Sequence, residues 1–127
     1  MMVALLLQAG LGALGPQALP KGGCAAYLWS VPEPRALVAM ASPGTLRLSL
    51  DGKVLDLPRA EATGPLVRGL AAQTRYAAGA VQATVTMTVV ERPDIAGGAL
   101  VADATVSVQA VGGDAIVVPV GGLVGCG

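Results

Sequence analysis

Residues able to break or transfer bonds are scarce in this 127-residue chain. It contains no histidine, which removes Ser-His and Cys-His nucleophilic pairs and the commonest metal ligand. Its two cysteines, Cys24 and Cys126, fall two ligands short of a zinc site. A Ser-Lys dyad would need Ser42 or Ser49 beside Lys53, yet Lys53 falls in a predicted hairpin turn where nothing would desolvate its amine. The carboxylates Asp51, Asp56, Glu91, Asp94, Asp103 and Asp114 fall at predicted turns or outer strand faces, where they read as solvated charge rather than acid-base pairs. Gly121-Gly122-Leu123-Val124-Gly125 has neither the glycine spacing nor the Lys-Ser/Thr of a phosphate loop. The expectation is a protein that is not an enzyme and takes no cofactor and no metal.

The cysteines suit another chemistry. They lie near the two extremities of the chain with none between, and read as a disulfide staple joining terminal strands in an oxidising compartment. By the loop-entropy model such a ring contributes about 4 to 5 kcal/mol. Two independent buried thiols are the alternative, and lipid attachment at Cys24 is disfavoured by Lys21 three residues upstream. The apolar run Val3–Leu7 followed by Leu7-Gln8-Ala9 resembles a secretory leader with a small-residue cleavage site, although no Lys or Arg precedes it. The alternative is a first strand or apolar helix of a cytosolic protein. Gln8, Gly10, Gly12 and Pro16 interrupt the run well before the roughly 20 apolar residues of a membrane span. The expected organisation is a signal peptide over 1–15, a linker over 16–23 and a single β domain over 24–127, periplasmic or secreted. Eight basic and eight acidic residues, scattered to zero net charge, give no electrostatic footprint for nucleic acid.

Positioning elements follow from period-two patterning. In 80–91, Val81, Ala83, Val85, Met87 and Val89 alternate with Gln82, Thr84, Thr86 and Thr88, the pattern of a half-buried strand rich in β-branched residues. The stretch 99–110 alternates likewise, predicting Leu100, Ala102, Ala104, Val106 and Val108 on the inner face, with Thr beside Thr or Ser across the pair. Strands are also predicted over 24–30, 36–41, 45–50, 53–57, 74–77 and 115–120. Asp51-Gly52 is suited to a type I′ hairpin turn, Pro58 should end that hairpin's pairing, and Pro119 should mark an edge or bulge. Residues 59–73, broken by Gly64-Pro65 and Gly69, read as a long loop with an anchored middle. About eight short strands with no sustained helical period predict an all-β fold, a small antiparallel sandwich or barrel closed near its ends by the disulfide.

The aromatic residues are Tyr27, Trp29 and Tyr76. They read as core rather than as a ligand platform, because the chain has no Phe. Arg59, Arg68 and Arg75, in and beside the long loop, are the candidate partner contacts, with a solvated rim as the alternative. Leu46, Leu48, Leu50, Asp51-Gly52, Leu55 and Leu57-Pro58, followed by Ala62-Thr63-Gly64 and Arg75-Tyr76, resemble the strand, turn and loop of the MliC-type periplasmic inhibitors of C-type lysozyme. The resemblance covers about a quarter of the chain. It implies a small antiparallel barrel with disulfide-tied terminal strands, whose loop, with Thr63 here in place of Ser, enters the lysozyme cleft. The family's later Trp and Lys-Gly element has no counterpart. Two functions are therefore expected: a binding or inhibitor module for an envelope protein or glycan, or an accessory envelope protein associating through a Thr-rich strand edge.

Overall fold

A computed structural model describes residues 11–31, 35–92, 94, 98–110, 113 and 115–127. Among them are nine strands and no helix: β1 (Leu11–Gly12), β2 (Cys24–Ser30), β3 (Leu37–Ala41), β4 (Thr45–Leu50), β5 (Lys53–Val67), β6 (Leu70–Ala78), β7 (Val81–Glu91), β8 (Gly98–Ala110) and β9 (Ile116–Cys126). Strands β2 to β9 run up and down in chain order, and β9 pairs back onto β2 to close an eight-stranded antiparallel barrel. Closure satisfies the ladder groups that an open sheet would leave at its edges. Small aliphatic side chains fill the interior, among them Leu28, Leu46, Leu48, Leu57, Val85, Val106 and Val108, with Tyr76 the one aromatic ring in that core.

The alternation in β7 holds: Ala83, Val85 and Met87 are buried while Gln82, Thr86 and Thr88 face out. Its register against β8 sets Thr84 opposite Ser107 and Thr86 opposite Thr105. The turn between β4 and β5 also forms as expected, with Asp51 at φ 53° and Gly52 at φ 81°, the two positive values of a type I′ turn.

Strand β8 keeps the expected phase at Ala104, Val106 and Val108 and departs from it before Asp103. Ala99 and Val101 are buried, whereas Leu100 and Ala102 are only partly so. Asp103 has φ 48°, and the ladders to both neighbours shift beside it. One extra residue in a strand is a β-bulge, and since side chains alternate with period two it reverses every face beyond it.

Strand β9 extends past its expected end at Val120 to Cys126, taking in the glycine-rich stretch. A Cβ on Gly122 would collide with the Tyr27 carbonyl and sit 3.1 Å from the Trp29 ring, so glycine lets β9 approach β2. Pro119 accepts a hydrogen bond from Val31 N–H through its carbonyl at 3.0 Å. A strand residue's N and C=O point to the same side, so the missing donor falls where β2 has ended, not in the β8 ladder.

Within the stretch expected to be a leader, Leu11 and Gly12 pair with Leu50 and Ser49, and Leu14 is buried and donates its N–H to Leu37 O at 2.7 Å. The cleavage motif at residues 7–9 lies outside the described residues. Cleavage after Ala9 would leave β1 in place, whereas a leader running to residue 15 would remove it. Part of the expected linker lies against the barrel: Tyr27 donates its hydroxyl to Ala18 O at 2.7 Å, and Leu19 packs over Gly125.

Candidate functional site

The cysteine pairing forms. Cys24 and Cys126 are register partners at one end of the β2–β9 seam and are joined by a disulfide. Both pack partly buried against the core, at the mouth that also carries the β3–β4 turn and the end of β7.

Rising from this mouth is the segment expected to be a loop. Residues 59–73 are instead the continuation of β5 and the start of β6, a β-hairpin turning at Arg68-Gly69. Pro58 does end pairing with β4, opposite Thr45, but β5 runs on with β6 alone. Two register shifts interrupt it, between Arg59 and Glu61 and between Thr63 and Leu66. Gly64 lies within the second at φ 95°, where a Cβ would sit 2.9 Å from that of Ala72. Glycine tolerates the positive φ and the close approach because it has no Cβ, and the following proline is tolerated because the other edge of this part of β5 has no strand partner among the described residues.

Every residue from Pro58 to Leu66 is exposed, including Leu66 at 66 %. At the tip, Arg68 has φ 54°. Its Nε and Nη2 donate to the two carboxylate oxygens of Glu91, each at 2.9 Å, while Nη1 lies 3.5 Å from Cys126 Sγ. On the opposite side the tip leans on the β3–β4 turn, with Pro43 Cγ 3.4 Å from where a Gly69 Cβ would stand. Leu70, just inside the turn, is buried in the core. These contacts anchor the tip of the arm at the barrel end.

The predicted contact residues divide between locations. Arg75 and Thr63 share the arm's outer face, opposite Glu61 and Gln73 respectively, and Arg75 Nη2 donates to Glu61 Oε1 at 3.3 Å. Arg59 is separated from them by the first register shift: it follows Leu55 and Leu57 on the inner face and has Tyr76 as its register partner. Among the described residues it has no carboxylate partner. Arg68 is occupied at the tip. Glu61, Gln73 and Glu91 also belong to this surface, and only alternation of Glu61 with Thr63 would have signalled any of them.

Charge at the site is balanced locally. The Arg68 guanidinium holds the Glu91 carboxyl below its usual range, and the carboxylate raises the arginine in return. On the outer wall Arg47 donates to both carboxylate oxygens of Asp56 and lowers its pKa. Burial pushes the Tyr76 phenol up. Of the six carboxylates considered for acid-base work, the five that are described are all exposed. Asp114 lies outside the described residues.

An apolar cavity of about 230 Å³ opens beneath the arm, lined by Pro65, Val67, Leu70, Ala72, Met87 and Val89. A more polar depression of about 380 Å³ lies on the outer wall among Met40, Ser42, Thr45, Arg47 and Asp56. The aromatics form no common platform, because Tyr76 is interior whereas Tyr27 and Trp29 alternate with core residues Ala26 and Leu28 on the outer face of β2. Among the described residues no three His, Cys, Asp or Glu side chains are grouped to hold a metal ion, and no helix is long and apolar enough to cross a membrane. Comparison with family models, curated proteins and solved structures finds no match.

Proposed function

We propose that this chain is a non-enzymatic binding or inhibitor module of the periplasm or extracellular space, which presents its β5–β6 arm to a protein or glycan of the cell envelope. The observation that carries this reading is the unbroken exposure of Pro58–Leu66 on an arm whose tip is tied down by Arg68 and Leu70. A surface held in one shape loses less conformational freedom on binding than a flexible loop does. The disulfide supports an oxidising compartment.

C-type lysozyme is the first partner to test, because Thr63-Gly64 stands midway along the arm, where the MliC-type inhibitors carry their Ser-Gly element. The experiment titrates the oxidised protein onto immobilised C-type lysozyme and, separately, onto soluble peptidoglycan fragments. Saturable binding that Arg59→Glu weakens by about tenfold or more, the loss typical of an interfacial arginine, is the expected result. No saturable binding to either probe removes the inhibitor reading.

A second reading draws on the edge of β5 beyond Arg59, which has no strand partner among the described residues and so suits addition of a further strand. It predicts concentration-dependent self-association in sedimentation velocity, insensitive to Arg59→Glu.

A further inference from the structure

The contact between the arm tip and the disulfide is not needed for presenting an exposed surface. Arg68 is anchored through one side of its planar fork, Nε and Nη2, by Glu91, and turns its remaining nitrogen, Nη1, onto Cys126 Sγ. Among the described residues no polar side chain makes the equivalent contact with Cys24; Lys21, three residues upstream, is exposed. The two sulfurs of one bond therefore sit in unequal electrostatic surroundings, and both cysteines retain partial exposure.

We propose that this disulfide is a directional thiol-exchange site, in which an incoming thiolate attacks Cys24 Sγ and Cys126 leaves as a thiolate held by Arg68. The attacking sulfur forms a new S–S bond to Cys24, and the electron pair of the old bond departs on Cys126. No other group is oxidised or reduced in that step. With a dithiol reductant, the second thiolate of the reagent attacks its own sulfur in the mixed disulfide and releases Cys24 as a thiolate. The reagent is then a disulfide, and the protein carries two reduced cysteines. Exchange is faster when the departing sulfur is the more stable thiolate, and an adjacent guanidinium confers that stability. The substrate class is a thiol or dithiol reductant, and the consequence is loss of the covalent tie across the β2–β9 seam.

The test treats the oxidised protein with glutathione at neutral pH, quenches early with an alkylating agent, and locates the adducts by peptide mapping. Expected is glutathione on Cys24 in at least about fivefold excess over Cys126, with the excess abolished and the overall rate lowered several-fold in Arg68→Met. Equal labelling in the wild-type protein, an excess on Cys126, or a bias that survives Arg68→Met overturns the proposal. Should Arg68→Met fail to fold, the single thiols decide. Cys126 in the Cys24→Ser protein should be alkylated with a lower pH midpoint than Cys24 in the Cys126→Ser protein, and the reverse order overturns the proposal.

Discussion

The Tyr76 hydroxyl donates to the carbonyl of Ser42 at 3.0 Å, so a ring buried in the core is fastened to the turn between β3 and β4. Tyr76 is 1 % exposed. Replacing it with Phe removes this partly buried hydrogen bond and should cost about 1 kcal/mol, or somewhat more if the carbonyl is left unpaired. Tyr76→Ala also opens a cavity and should cost about 3 to 5 kcal/mol. Urea midpoints of the two variants check both figures.

Burial raises both Tyr76 and Tyr27 above the ordinary phenol value of 10.0. In the folded chain the neutral forms persist where the unfolded chain already ionises. Above about pH 10 the folded state therefore binds more protons than the unfolded one, and stability falls as pH rises further. Alkaline melts should show this decline, and Tyr76→Phe should make it shallower.

The carboxylates behave oppositely. Glu91 and Asp56 are held below the usual range by hydrogen bonds from Arg68 and Arg47. Their contribution is complete above that range, near pH 4, and is lost as pH falls through the depressed values. Both pairs are substantially solvated, so the Arg47–Asp56 pair should contribute no more than about 1 kcal/mol. Denaturation midpoints between pH 6 and pH 2, as rough bounds of the carboxylate window, should fall less in Asp56→Asn and Glu91→Gln than in the wild-type protein.

Two glycines offer a direct contrast. A Cβ at Gly122 collides with the Tyr27 carbonyl, whereas at Gly44 it meets open space. Gly122→Ala should force β9 away from β2 and destabilise by about 2 kcal/mol or more, the scale of overpacking. Gly44→Ala should stay within about 0.5 kcal/mol of wild type. Comparable losses in the two variants would show that the seam is not closed at Gly122.

Asp103 is the extra residue of β8, so deleting it leaves Val101 and Ala104 two places apart on the same face, whereas inserting a second residue beside it should turn Ala99 and Val101 outward and abolish cooperative folding. Asp103→Gly, which keeps the bulge and tolerates its positive φ, should be near neutral. Near-UV circular dichroism and thermal melts of the insertion and of Asp103→Gly distinguish the two outcomes.

How much of this was legible depended on whether each residue has an inside and an outside. β4, β7 and the Asp51-Gly52 turn have both, and period two revealed them. Beyond Pro58 the arm has β6 on one side and, among the described residues, no strand on the other, with every residue to Leu66 exposed, so no alternation survives and Gly64-Pro65 reads as a break. In β8 the extra residue at Asp103 leaves composition untouched while reversing the faces. Gly121-Gly122 carries no side chain to signal a strand, because its role is the closeness of a neighbouring backbone. The disulfide was readable from two cysteines at opposite extremities. The tie of Arg68 to Glu91 and Cys126, 23 and 58 residues away, depends on how the strands fold around the mouth.

Every barrel seam but one joins strands that are consecutive in the chain. Hairpin after hairpin can therefore zip up from local contacts, and the entropy of a large ring is spent only when β9 finds β2. Pairing of β2 with β9 then becomes the late step of assembly. Refolding with the cysteines already bonded should run faster than refolding of the reduced chain, while truncations within β9 would leave a string of hairpins with nothing to close upon.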